Sequence, residues 1–463
     1  MRIRAWRALL AGVSAVGGLL GGWLAEPAAA QTPLPVGAQS LANLTLTGDQ
    51  DEAVVAIDPN GNFLVVWRDE FLDNSQSAIV GRRFSARTGQ PLSNEFLINV
   101  STAGDQRNPA VAMADDGHFV VVWEGPDTAP PVTPGIFGSL RQANGAAIVE
   151  EFAVNAGTGS IQRRPAVAMQ PGGAFLVVWQ DNSPTPGRVD TGENIAGRLY
   201  PASFPSAPPG DPVLLNTSLA GDQEQPAVAP RPNVAGWLVG WQGPRLFSPP
   251  IPSILVRQLD ANLGGSNEVN ANTSGSADLR AHVALAANAQ GDAIVVWEAP
   301  DESSRGIFGR RFVAGVPGSA EEQINLTTDF DEREPSVAID QQGGFVTTWV
   351  VASPALADRW GDLPEGSPII IHGRRRTDGP GLRSPDDPLV PPPDAEFQIN
   401  SSGSTFADPW VAIEPRGNFV VAWQGTDAAD PDGNGVFFRG FRDALFADDF
   451  ETQSTSRWSL VVP

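Results

Sequence analysis

Groups able to do chemistry are few in this sequence, and those present are mostly oxygen donors. There is no cysteine, which removes disulfides and thiolate metal sites together. The three histidines, His118, His282 and His372, lie far apart in the chain, and no two share a short spacing that would bring them to one metal. No HExxH, GxSxG, phosphate-binding loop or dinucleotide fingerprint occurs. A catalytic set is therefore not assigned from sequence.

Four polar features remain. The stretch Asp430 to Gly435, DPDGNG, opens like a calcium loop, with Asp430, Asp432 and Asn434 spaced to offer alternate oxygens. Its twelfth position is Phe441 rather than the bidentate glutamate, so it is half a calcium motif, with a plain turn as the competing reading. Calcium is the one cofactor that the sequence suggests. A Gly-Asp-Gln triplet recurs at 48–50, 104–106 and 221–223, placing Asp49, Asp105 and Asp222 alike, with Asp331 at the matching place further on. Those aspartates either shape turns through nearby amides or gather as an acidic ring for a cation or basic ligand. Asn-x-Ser/Thr occurs at Asn43, Asn99, Asn216, Asn272, Asn325 and Asn400, where regular placement at a strand end points to Asx-type turns rather than glycan acceptors. Finally, Asp358, Arg359, Trp360, Asp362 and Glu365 share one long insertion after Trp349, and a tryptophan among charges is the composition of a partner-binding anchor. A proline-rich insertion without a role is the alternative there.

The elements that position these groups come from a repeat. Valine-rich runs end in Trp67, Trp123, Trp179, Trp241, Trp297, Trp349 and Trp423, the first three 56 residues apart. Each copy reads as a polar turn, a short apolar run, a tight turn, the Val-Trp run, a loop, a third run and a fourth such as EEFAVN at 150–155. Runs of four to six residues rich in Val, Ile and Phe, bounded by Asp, Asn, Gly or Pro, are antiparallel strands. In FVVVW the apolar pattern is continuous, as in a strand covered on both faces. Phe119, Val121 and Trp123 then face one neighbour, Val120 and Val122 the other. A four-stranded sheet gains two covers when like sheets stack around an axis, so the expected fold is all-β, a seven-bladed β-propeller. The last copy lacks its fourth strand, and VGAQSLAN at 36–43 supplies one, so the ring is expected to close through the N-terminal strand, with 445–451 as its rival for that edge.

Bulk properties bound the rest. Residues 1–30 have the arginine-led, apolar, then small-residue pattern of a signal peptide. The expected organisation is that leader, a propeller over 31–443 and a tail over 444–463, secreted or periplasmic, without a membrane span and monomeric. The formal charge is −23 and every one of the 30 basic residues is arginine, which excludes nucleic acid as a partner, since phosphate contacts need clustered positive charge.

The pattern GDQ…PAVAM…DGxFVVVW…GIxGxRF…EFxVN resembles a repeat of secreted and cell-surface bacterial proteins, and the resemblance spans nearly the whole mature chain. It implies a bacterial, extracellular protein and no particular activity. The tail, 445–459, is similar to a short C-terminal motif of exported bacterial proteins. The turns lack the SxDxGxTW box of sialidases. The expected function is a non-enzymatic binding or structural module for a protein or glycan; the alternative is an extracellular hydrolase or lyase acting on polysaccharide at the channel mouth.

Overall fold

The computed structural model describes residues 33–442, apart from 74–75, 128–132, 156–158, 185–191, 235, 245–251, 274–280, 302–303, 353–368, 377–394, 402–407 and 428–429. These residues form seven separate antiparallel sheets, and the one helical element is the short turn Pro232–Val234. Chain order within each sheet is radial. The innermost strands are Gln50–Ile57, Arg107–Met113, Gln162–Met169, Glu224–Arg231, Ala281–Ala287, Asp331–Ile339 and Trp410–Ile413, which define blades 1 to 7. The seven tryptophan-ended runs are the second strands, from Asn62–Asp69 in blade 1 to Phe419–Asp427 in blade 7. All seven tryptophans are fully buried.

The two-faced reading of the second strand holds in detail. Phe119, Val121 and Trp123 pack with Leu64 and Val66 of blade 1, whereas Val120 and Val122 pack with Phe175, Val177 and Trp179 of blade 3. Each Val-Trp strand is thus the filling between two sheets, the packing expected of stacked blades.

Closure runs through the N-terminus. Leu34–Leu41 pairs antiparallel with Asp430–Arg442, the third strand of blade 7, and makes that blade four-stranded. Its rival, 445–451, lies outside the described residues, as do the proposed leader and the whole tail. Deleting 31–43 should expose the paired edge of that third strand together with its backbone donors and acceptors. The expected outcome is a cooperative fall in Tm of roughly 10 °C or more, or aggregation on a sizing column. An unchanged Tm would mean that another segment holds the edge.

Candidate functional site

Most of the repeated polar residues are consumed in joining blades. In all seven blades an asparagine just after the outermost strand accepts a backbone N–H of the third strand: Asn43 from Val436, Asn99 from Ile79, Asn155 from Ile136, Asn216 from Ile195, Asn272 from Ile254, Asn325 from Ile307 and Asn400 from Ile371, at 2.8–2.9 Å. Four of them also donate to the carbonyl two residues on, which closes an Asx-type turn. Next, one third-strand arginine per blade reaches a carbonyl at the outer edge of the preceding blade: Arg82 to Ala42, Arg141 to Ile98, Arg198 to Val154, Arg257 to Leu215, Arg310 to Ala271, Arg374 to Ile324 and Arg439 to Ile399. In Arg82, Arg198, Arg257, Arg310 and Arg439 the Nε–H also donates to a carbonyl of its own blade. A planar fork with fixed donors can bridge two sheets in this way; a single ammonium cannot hold the same geometry. That accounts for seven arginines in a chain without lysine.

The Gly-Asp-Gln turns serve the same end. Asp49 accepts the backbone N–H of Asn434, Asp222 that of Glu193, Asp105 the hydroxyl of Ser77, and Asp331 the hydroxyl of Ser304. Glu193, Ser77 and Ser304 lie just before the third strand of the preceding blade, and Asn434 lies within it. Asp105 is also paired with Arg68 and Arg107, and Asp331 with Arg333. The four carboxylates thus sit on the same face of the ring, each turned to the neighbouring blade. Of the half calcium motif, Asn434 contributes its amide to Asp49, and the side chains of Asp430 and Asp432 lie outside the described residues. So do Asp358, Arg359, Trp360, Asp362 and Glu365.

What the joining bonds do not absorb lies in the channel. Six innermost strands slip register near their start, between Asp51 and Val54 in blade 1 and likewise in blades 2 to 6. At each slip, and at the same point of blade 7, one residue other than glycine takes a positive φ of 49–53°: Glu52, Asn108, Arg164, Gln225, His282, Glu334 and Asp408. Such a bulge turns its amide out of its own sheet. In every blade that amide is caught by the preceding one, at 2.5–3.1 Å. At four junctions the acceptor follows the buried tryptophan: Gln424, Glu124, Gln180 and Glu298. At the other three it is the bulge residue itself: Glu52, Gln225 and Glu334. The seven bonds form a closed ring around one mouth of the channel.

The seven bulge side chains line a cavity of about 510 Å³ at that mouth, within the size range of small-molecule sites. Two residues further in, the innermost strands carry Val54, Ala110, Ala166, Ala227, Ala284 and Ser336, and in blade 7 Trp410. Trp410 is 42% exposed, whereas the seven second-strand tryptophans are buried. Below it the channel is lined by Val, Ala, Ile, Leu and Met with one proline.

Charge around the mouth is uneven. Burial, then the adjoining Asp408 carboxylate, holds Glu334 well above the usual range. Burial also pushes Glu52 up to about 7. Facing them, His282 is raised: burial works against its charge but is outweighed by Glu298, whose carboxylate lies 2.7 Å away. Glu298 is lowered in turn, burial being offset by His282, the Glu334 amide and Arg305. Asn108 donates to Glu124 at 2.8 Å, and Asp408 accepts from Gln424 at 3.0 Å. The guanidinium of Arg164 has neither a hydrogen bond nor an ion pair among the described residues. Carboxyl groups thus occupy blades 6, 7 and 1, while blade 3 carries Arg164 and blade 5 carries His282 against Glu298.

None of these mouth residues was singled out by sequence motif. The signal was present in the repeat itself: the column before Pro-Ala-Val holds a different polar residue in nearly every copy, and Trp410 fills a column that is otherwise small.

No family model matches the chain, and no curated protein matches it. Among solved structures, an ulvan lyase from a new family of polysaccharide lyases aligns over 91% of this chain and 98% of its own, at TM-score 0.49 and 9% identity. A protein of unknown function from Dyadobacter fermentans aligns over 88% and 98%, at 0.47 and 11%. A fungal alcohol oxidase in complex with copper aligns over 88% and 76%, at 0.46 and 12%. These are likenesses of architecture, and no chemistry is carried over from them.

One buried group gives a pH test of this scheme. Glu332 occupies the place of Gln50, Gln106, Gln162 and Gln223, and burial, then Asp301, Glu396 and Asp331, pushes it up to about 9. An unfolded chain releases that proton near 4.5, so its contribution to stability is complete below pH 4.5 and lost as pH rises towards 9. Glu332→Gln should therefore raise Tm by about 2–5 °C at pH 9 and leave it unchanged at pH 4.5. A difference independent of pH in thermal melts would contradict the assignment.

Proposed function

We propose that this propeller is an exported carbohydrate-binding module whose site is the polar mouth of its channel. Trp410 carries the reading. An indole at the channel mouth forgoes the burial that the seven second-strand tryptophans have, and its flat apolar face is what the C–H face of a sugar ring stacks against. The bulge residues around it supply donors and acceptors of mixed type, suited to a ring of hydroxyl groups. A cavity of about 510 Å³ has room for one or two sugar residues. Export rests on the leader-like pattern of residues 1–30, and a bacterial source on the resemblance of the repeat.

A binding role is preferred to hydrolysis for a geometric reason. Glu334 and Asp408 are in hydrogen-bonding contact. The two carboxyls of a glycosidase stand roughly 5–9.5 Å apart, with the scissile bond between them. A lyase is the second reading, because Glu52, raised to about 7, titrates where a general base works. Glu52→Gln would keep the acceptor for the Asn108 amide and abolish any eliminative cleavage, read as new absorbance from unsaturated product. Absence of cleavage by the parent protein leaves binding alone.

Trp410→Ala tests the main reading. Blades 2 to 5 carry alanine at this place, so Tm should stay within about 1 °C. Oligosaccharide affinity by calorimetry should fall tenfold or more, a loss of about 1.4 kcal/mol. Unchanged affinity would remove the indole from the site and the proposal with it.

A further inference from the structure

The uneven charge of the mouth narrows the ligand class, on the carbohydrate reading above. We infer that the bound sugar bears an anionic group, a carboxylate or a sulfate ester, held by Arg164 across the channel from Trp410.

Three observations support this. Arg164 is the bulge residue of blade 3 and Trp410 belongs to blade 7; in a ring of seven, two blades separate them one way and three the other, so they face each other across the opening. Arg164 is also the one charged bulge residue whose head group is left over. Glu52 and Glu334 hold amides of the next blade, His282 is engaged by Glu298, and Asp408 by Gln424 and Glu334. The arginines of the blade-joining set are bound to carbonyls, whereas the Arg164 fork lines the cavity with no partner among the described residues, the arrangement that takes an oxyanion bidentately. Third, Arg164 holds a positive φ of 51°. That conformation is strained for any residue with a Cβ, and glycine would make the same bulge without the strain. The guanidinium makes no structural bond to offset that strain.

The rest of the molecule limits the ligand's length. With a formal charge of −23, the surface repels a polyanion. Beyond about 8 Å such repulsion is screened at physiological salt, but a polymer lying along the surface meets it at close range. The ligand is therefore a short acidic oligosaccharide, or the end of a chain, entering the mouth.

Calorimetry with three disaccharides tests this: one carrying a hexuronate, one carrying a sulfate ester, one neutral. The acidic ligand should bind at least tenfold more tightly than the neutral one, with affinity falling as salt is raised. Whether the carboxylate or the sulfate ester binds identifies the source of the anion. Gln225 occupies the same position with the same φ, so Arg164→Gln leaves the bulge intact. It should remove the acidic preference and its salt dependence without altering Tm or neutral binding. Equal affinity for acidic and neutral sugars, or an acidic preference that survives Arg164→Gln, would overturn this inference while leaving the carbohydrate reading in place. Failure of all three to bind would overturn both.

Discussion

One backbone amide per blade governs the channel. A propeller sheet satisfies its own ladder, but a bulge at the start of each innermost strand turns one N–H away from its partner strand. An amide turned away from its ladder needs another acceptor, which costs up to about 1–3 kcal/mol to lose where water is excluded. Here all seven are met by the preceding blade, through an oxygen of Glu or Gln. The bond joins the ring at its inner rim. It also decides which mouth side chains are spent: where the residue after the tryptophan supplies the oxygen, the bulge residue is released, and where it does not, the bulge residue is consumed. Blade 1 shows the second case: Arg68 follows Trp67 and is bound to Asp51, so Glu52 must reach Asn108.

The outer rim is joined by other means to the same purpose. Glu95, Glu151, Glu268, Glu321 and Glu396 on outermost strands accept amides or hydroxyls that follow the outermost strand of the preceding blade, and Gln39 does so for Ser401. At Asn43, Asn99 and Asn325 the asparagine fixes its own blade's third strand while the hydroxyl two residues later, of Thr45, Ser101 or Thr327, donates to the next blade's carboxylate. After Asn216 and Asn272 the hydroxyl of the very next residue, Thr217 or Thr273, makes that bond. Burial works against the charge of the Glu396 carboxylate, but the His372 ring 3.6 Å away and hydrogen bonds from the Leu326 amide and Thr327 outweigh it and hold it down at about 2. The motif is a pair of hydrogen bonds to two different blades.

The fold was legible because its determinants are periodic and apolar. A continuous run such as FVVVW has only one economical use, between two sheets, and seven of them with a displaced fourth strand define a closed ring. The Asn and Gly-Asp-Gln motifs were visible as motifs, but their partners were not, since an interblade bond connects residues some 20 to 75 positions apart, and close to 390 where the ends of the ring meet. The mouth was hidden for a different reason. Its residues share a backbone conformation rather than a residue type, and a positive φ leaves no mark when Glu, Arg and His adopt it alongside Asn. Trp410 stands inside PWVAIE, a run that in sequence reads as one more apolar strand. Only the radial arrangement shows that this column faces the channel.

Symmetry carries the last step. Seven like blades present seven like positions to the axis, and an axial ion or water column would be served by seven like donors. The bulge positions hold Glu, Asn, Arg, Gln, His, Glu and Asp, and the next ring inward holds six small residues and one indole. Packing does not require this diversity, because any residue or glycine can make the bulge and alanine suffices below it. The joining bonds, which are what stability needs, are repeated nearly unchanged around the molecule. Departure from sevenfold likeness is concentrated at the mouth, where it separates carboxyl groups and an aromatic face from an unspent guanidinium. A site built that way suits a ligand with unlike ends lying across the axis rather than along it.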